Sequence, residues 1–197
     1  MSRRIVRGSA LMALTIALLL GAGAREGLTT DTFTTYRGTS PRLPVAFEYP
    51  ADWESEESSG TTERYTQVQL YAPAALESRL RVYLVVRAIP AKDAGGRYAD
   101  VREMAEEYRR HAIPSLRMTE EEQTTVLGAP ATRLAVDGTM LLPWNSPKAQ
   151  PVPVTGQRVF FEQHGVFYEL GWMATPETDA AARAAFAHLL DTLTPAG

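Results

Sequence analysis

Cysteine is absent from the 197 residues. That one absence excludes disulfides, cysteine-ligated zinc, a thiol nucleophile and lipid attachment at an N-terminal cysteine. Histidine is scarce as well, represented only by His111, His164 and His188. No Gly-x-Ser-x-Gly occurs, and the serines show no pattern that would pair them with a His and an Asp. A phosphate loop and a dinucleotide fingerprint are also missing, so no motif implies a cofactor. There is no internal repeat. Base is not in excess: 20 Lys and Arg stand against 23 Asp and Glu, a formal charge of −3. No basic patch stands out, which argues against a nucleic-acid partner.

What is present begins with a targeting pattern. Arg3, Arg4 and Arg7 form a positive start, Ala10 to Leu20 is apolar without a charge, and Ala22-Gly23-Ala24 offers small residues to a signal peptidase. Residues 1–24 therefore read as a secretory signal. The alternative is an uncleaved membrane anchor, although the apolar run is short for a span of about 20 residues. Removing residues 1–24 takes three arginines and no acid, leaving 17 basic and 23 acidic residues. The expected location is exported, periplasmic or extracellular. In the alternative, the domain is anchored at the inner membrane and lies outside the cytoplasm. Membrane contact is expected only through that segment.

The remaining length suits one domain, and hydrophobic content of 45% permits a real core. Residues 25–44 are polar, a linker with a candidate edge strand at Phe33–Tyr36. The domain is expected over 45–194. Val45, Phe47 and Tyr49 alternate with polar neighbours up to Pro50. Residues 54–63 are acidic and Ser/Gly-rich and read as a solvated loop. Tyr65–Tyr71 alternates, and Leu80, Val82, Leu84, Val86 and Ala88 give the cleanest alternation, expected as a central strand. Residues 72–78 would join these two as an antiparallel pair.

Asp100 and Glu103 make a capping-box start. Val101, Met104, Ala105, Tyr108 and Ala112 then form an apolar stripe over a helix at 98–112. Residues 116–127 and 131–136 read as extended, with Leu134 and Val136 inward. Pro143, Pro147, Pro151 and Pro153 break the pattern, so 137–156 is expected as a long Pro-rich loop.

The C-terminal unit is the most legible. A tight turn at His164-Gly165 pairs Phe161 with Tyr168 and Val159 with Leu170. Val159, Phe161, Tyr168, Leu170 and Trp172 share one apolar face. Phe160, Phe167 and Met173 lie opposite, mixed with Arg158, Glu162 and Glu169, a face that something should partly cover. Ala182, Phe186, Leu189, Leu190 and Leu193 then recur at helical spacing. The order of elements predicts an α+β domain: one antiparallel β-sheet packed against two amphipathic helices.

Phe47-x-Tyr49-Pro50-x-x-Trp53 resembles the opening motif of the PsbP/Mog1-like superfamily. Gly128-x-Pro130-Ala131-x-Arg133-Leu134 resembles a turn and strand midway through such domains. The close, Gly165-Val166-Phe167-Tyr168 and a helix with Phe186 and Leu189-Leu190, is similar too. The resemblance spans about residues 32–194 by pattern; the Pro-rich stretch at 143–153 departs from it. It implies an antiparallel sheet between helices. It also implies a binding or assembly factor rather than an enzyme, since members include photosystem II accessory proteins and a GTPase-binding transport factor. No site residue carries over from it.

The expectation is therefore a non-enzymatic binding or accessory protein with a protein partner, a membrane-associated complex being one candidate. A membrane-complex subunit tethered by the N-terminal segment is the alternative, and a metal- or small-molecule-dependent enzyme a more distant one. Leu141, Leu142 and Trp144, apolar residues on the Pro-rich stretch, are the candidate partner-binding residues. Glu107 and His111, four apart on a helix, could meet one metal but do not define a site. Glu120, Glu121 and Glu122 with Glu103, Glu106 and Glu107 form a candidate acidic surface.

Overall fold

The computed structural model describes residues 32–38, 40–60, 64–73, 83–111, 114–142 and 147–195. The expected signal segment, Leu80, Val82, Ala112 and Trp144 lie outside them.

Among the described residues, ten strands and two helices make the fold. The strands are β1 (Phe33–Arg37), β2 (Val45–Pro50), β3 (Glu54–Ser59), β4 (Thr66–Tyr71), β5 (Tyr83–Pro90), β6 (Leu116–Val126), β7 (Ala129–Leu142), β8 (Gln150–Gln163), β9 (Val166–Ala174) and β10 (Thr194–Pro195). Helix α1 (Val101–Arg110) follows β5, and α2 (Asp179–Thr192) follows β9. Seven strands form one sheet in the order β3-β4-β5-β9-β8-β7-β6, and β1-β2-β10 form a second. Every strand pair is antiparallel. The second sheet corrects the expectation of a single one. Residue 33 onward is a paired strand, and the chain returns after α2 to add β10 to β2.

The β8–β9 hairpin has the expected register, Phe161 facing Tyr168 and Val159 facing Leu170. His164 and Gly165 both take positive φ, at 53° and 73°, the geometry whose twist matches flanking strands. Glu162 Oε1 accepts the Gly165 N–H at 2.8 Å and holds the tip. Val159, Phe161, Tyr168, Leu170 and Trp172 join the main core together with Ala182, Phe186 and Leu189 of α2 and Val45 and Phe47 of β2. Helix α2 thus buries its stripe against both sheets. Phe161 and Tyr168 stack at 4.9 Å.

The opposite sheet face takes α1. Asp100 Oδ1 accepts the Glu103 N–H, and Glu103 Oε2 accepts the Ala99 N–H, both at 2.7 Å. This is the reciprocal cap read from the sequence, reaching one residue further back. Met104 and Ala105 pack on Ile89, Leu134, Phe160 and Phe167.

Two loop expectations are corrected. Residues 54–59, read as solvated loop, pair with β4 along their whole length. Their side chains are almost all exposed, so the composition is that of an edge strand guarded by charge. Residues 137–156 are mostly strand: β7 and β8 stay paired out to Leu142 opposite Gln150. Pro151 and Pro153 are tolerated because β8 has its last β9 partner at Thr155. Beyond it no described strand pairs with that side of β8, so a missing N–H breaks no described ladder there.

Candidate functional site

Strand alternation assembles a polar cluster on the α1 face. Arg87 of β5 lies directly opposite Glu169 of β9, and Arg158 of β8 lies opposite Gly171. Arg158 and Glu169 are each only 4% exposed. Arg87 Nη1 donates to Glu169 Oε2 at 2.9 Å, and Arg158 Nε lies 3.3 Å from Oε1. One carboxylate therefore neutralises two guanidiniums. Arg87 also donates to Gln67 Oε1 at 2.9 Å and covers the Tyr65 ring at 4.7 Å.

Arg158 is heavily engaged. Its Nε donates to the Tyr108 hydroxyl of α1 at 2.7 Å, and Nη2 to the Tyr83 hydroxyl of β5 at 3.2 Å. Nη1 donates to the Gln157 and Trp172 carbonyls, both at 3.1 Å. Burial alone would lower its basicity, but Tyr83, Tyr108 and Glu169 outweigh that and hold it above the ordinary arginine value. Burial pushes the Tyr108 hydroxyl up, opposed by Arg158 and reinforced by Glu169 and Tyr83. Gly171 makes the arrangement possible. A Cβ there would sit 2.4 Å from Arg158 Nη1 and 2.6 Å from its Cδ.

Above this network a cleft of about 290 Å3 opens between α1 and the sheet. Met104, Met118, Met140, Met173, Leu116 and Phe160 give it apolar walls, with Tyr83, Tyr108 and Arg158 also lining it. Its rim carries Glu107, which takes Arg97, Arg110 at 3.0 Å and His111 Nδ1 at 3.3 Å. The expected Glu107–His111 pair is thus a helix-surface contact shared with two arginines. Among the described residues, no three His, Cys, Asp or Glu side chains gather as a metal site.

A second, larger groove of about 750 Å3 runs along the other flank of α1, over Val101, Ala105 and Phe167. Its charges are mixed. Glu121 pairs with Arg109 and Glu106 with Arg102 at 3.0 Å, while Glu122, at the opposite parity of β6 and outside the groove, pairs with Arg133 at 3.1 Å. The acidic run is therefore interleaved with arginines rather than forming a bare acidic surface.

Of the three candidate docking residues, Leu141 and Leu142 separate, and Trp144 lies outside the described residues. Leu141 is 60% exposed, the large hydrophobic that stands out on the surface of the described residues. Leu142 points the other way and is 4% exposed, packed with Val136, Val154 and Met173. This is a correction with a simple cause: the three were grouped as loop residues, whereas a strand sends neighbours to opposite faces. His164 is a turn residue, as read. His188, expected on the helix surface, is half-buried. It stacks on Phe33 at 3.7 Å and lies 2.8 Å from Glu48 Oε2, tying β1 and β2 to α2.

Sequence reasoning placed Arg158 and Glu169 on one half-polar face but not their joining by Arg87, Tyr83 and Tyr108. The available signal was Glu169 in the otherwise apolar β9, on the face that Arg158 of β8 shares.

No protein-family model matches the chain, and no curated protein sequence does. Solved structures do. The chain is similar to cyanobacterial PsbP (CyanoP) of Synechocystis sp. PCC 6803 at 11% identity, with 88% of this chain and 98% of that one covered and a TM-score of 0.51. It is similar to the Ran-binding protein Mog1p of Saccharomyces cerevisiae at 8% identity, with 84% and 96% covered and a TM-score of 0.53. LpqN of Mycobacterium tuberculosis, involved in cell envelope biogenesis, matches at 12% identity, with 83% and 90% covered and a TM-score of 0.51. At these identities the likeness is one of fold: the chain has the α+β PsbP/Mog1-like fold, a largely antiparallel sheet with helices packed on its two faces.

Proposed function

We propose that this protein is an exported, non-enzymatic binding or accessory factor that docks onto a protein partner through the end of the β7–β8 hairpin around Leu141. The observation that carries the reading is Leu141, 60% exposed on that end. A large aliphatic side chain costs free energy when left in water, about 25 cal/mol per Å2 of apolar surface. Exposed at the last residues of the paired β7–β8 ladder, this side chain is available to a contact that buries it. Trp144, two residues beyond β7, belongs to the same stretch and is of a type enriched at binding hot spots. Among the proteins of like fold, Mog1p is a Ran-binding protein, which gives precedent for recognition by this architecture. Export rests on the pattern of residues 1–24.

The test is recovery of partners from native membranes with wild type, Leu141→Ala and Trp144→Ala. Loss of about 1 kcal/mol or more per anchor should cut recovery several-fold. Equal recovery of every partner by all three removes the hairpin end as the contact. N-terminal sequencing of the native protein tests export separately: a start at Arg25 fits a cleaved signal, and a start at Met1 fits a tether.

A further inference from the structure

We infer that the cleft between α1 and the sheet is a binding site for a small amphipathic acid. Its aliphatic chain would lie against the methionines and its carboxylate on the Tyr83 and Tyr108 hydroxyls. The site is independent of the hairpin end, since Met140 and Leu141 lie on opposite faces of β7.

The first observation is where methionine is used. The chain has six, and apart from Met1 and Met12 all of them line this one cleft: Met104, Met118, Met140 and Met173. The main core on the other sheet face contains no methionine among its buried members; it is built from Leu, Val, Ala and aromatics. Branched and aromatic side chains specify one packing, whereas an unbranched thioether adapts to a guest of variable shape. Met104 and Met173 are buried at the base, and Met118 and Met140 are half-buried above them.

The second observation is a pair of hydrogen-bond donors with no acceptor among the described residues. Tyr83 and Tyr108 each accept a hydrogen bond from Arg158, on two nitrogens of the same planar guanidinium. Each phenol keeps its own O–H to donate, and neither donates to a protein group among the described residues. The guanidinium polarises both oxygens, which strengthens the remaining O–H as a donor. Two such donors held by one rigid fork suit the two oxygens of a carboxylate. Arg158 itself stays engaged and acts through the phenols.

Charge selects an acid over an amine. Arg87, Arg97 and Arg158 line the cleft against Glu107 and Glu169. The cleft therefore carries a positive excess in a chain of net charge −3. Size selects a short chain. At the ~30 Å3 that a water molecule takes in the liquid, 290 Å3 accommodates about ten non-hydrogen atoms, the size of octanoate.

The experiment is an NMR titration of the full chain labelled at the methionine methyls, with octanoate, octanol and octylamine in parallel. Octanoate should move the Met104, Met118, Met140 and Met173 signals together along one saturable curve. It should bind about tenfold tighter than octanol, with octylamine weakest, as expected for one charge-complemented contact pair. Tyr83→Phe combined with Tyr108→Phe should bring octanoate to the affinity of octanol and leave octanol unchanged. Non-saturable shifts, equal affinities for octanoate and octanol, or undiminished octanoate binding by the double variant would each overturn the inference. The three-ligand comparison on wild type decides the matter without any variant, so it stands even where the double variant does not fold.

Discussion

Replacing Glu169 with glutamine should be among the most damaging single changes available in this protein, although it removes no volume. Glu169 is 4% exposed and lies between two guanidiniums, at 2.9 Å from Arg87 and 3.3 Å from Arg158. At an effective dielectric of about 20, each charge pair at such range is worth roughly 4 kcal/mol. An amide keeps one oxygen to accept a hydrogen bond but forfeits both charge interactions. Arg87 is part exposed and recovers most of its loss from water; Arg158 is buried and cannot. Removing one partner of a buried pair costs about 3–5 kcal/mol, out of a total stability of roughly 5–15 kcal/mol for a domain. With a urea m-value of about 2 kcal/mol/M, the midpoint of Glu169→Gln should fall by about 1.5–2.5 M. The companion variant, Arg158→Met with Glu169→Leu, removes both charges and should recover most of that loss. A midpoint for Glu169→Gln within about 0.3 M of wild type, or a double variant less stable than the single one, would refute the reasoning.

Other outcomes follow from the same structure. Gly171→Ala places a Cβ within 2.7 Å of the Gln157 carbonyl and closer still to Arg158; it should cost about 1–3 kcal/mol by overpacking, read by urea denaturation. Phe186→Ala empties the centre of the α2 stripe, where Phe186 is buried, and should cost about 3–5 kcal/mol by the same assay. Burial, aided at Tyr36 by its 2.7 Å hydrogen bond to Glu57, pushes the Tyr36, Tyr108 and Tyr168 hydroxyls above the ordinary tyrosine value. The unfolded chain therefore loses these protons first as pH rises. Their contribution is intact below about pH 10 and declines above it toward the folded-state values. A melting temperature that falls steeply only above that pH, with three tyrosines ionising late by tyrosinate absorbance, is the expected result.

Legibility from sequence tracked how local the determinants were. The β8–β9 register could be read because His164-Gly165 admits one tight turn and the flanking residues alternate cleanly. The α2 stripe was read from its spacing, and the α1 cap from Asp100 and Glu103. The β7–β8 hairpin was hidden because Pro151 and Pro153 look like breakers. They are harmless only where β8 has lost its β9 neighbour, a fact of sheet topology that no local window contains. Reading that stretch as a loop also hid the opposite fates of Leu141 and Leu142. Strand β3 was hidden by composition, since an exposed edge and a solvated loop both select Glu and Ser. The ion cluster was half visible: Arg158 and Glu169 shared a predicted face. Arg87, Tyr83 and Tyr108 join it from other elements, across 82 residues in the case of Arg87 and Glu169.

The division of labour between the two sheet faces is itself informative. One face is an apolar core shared by α2 and both sheets, with no methionine among its buried members. The other, under α1, combines ion pairs, phenols and thioethers with two open grooves. The two faces of the sheet thus differ in chemistry, and the β7–β8 hairpin adds the exposed Leu141.

Hydrogen–deuterium exchange of the full chain, alone and with a partner recovered from native membranes, tests the docking proposal most directly. Slowed exchange confined to the end of the β7–β8 hairpin, around residues 139–153, is the predicted result. Unchanged exchange there, with protection instead on β1–β2 or along α2, would contradict it.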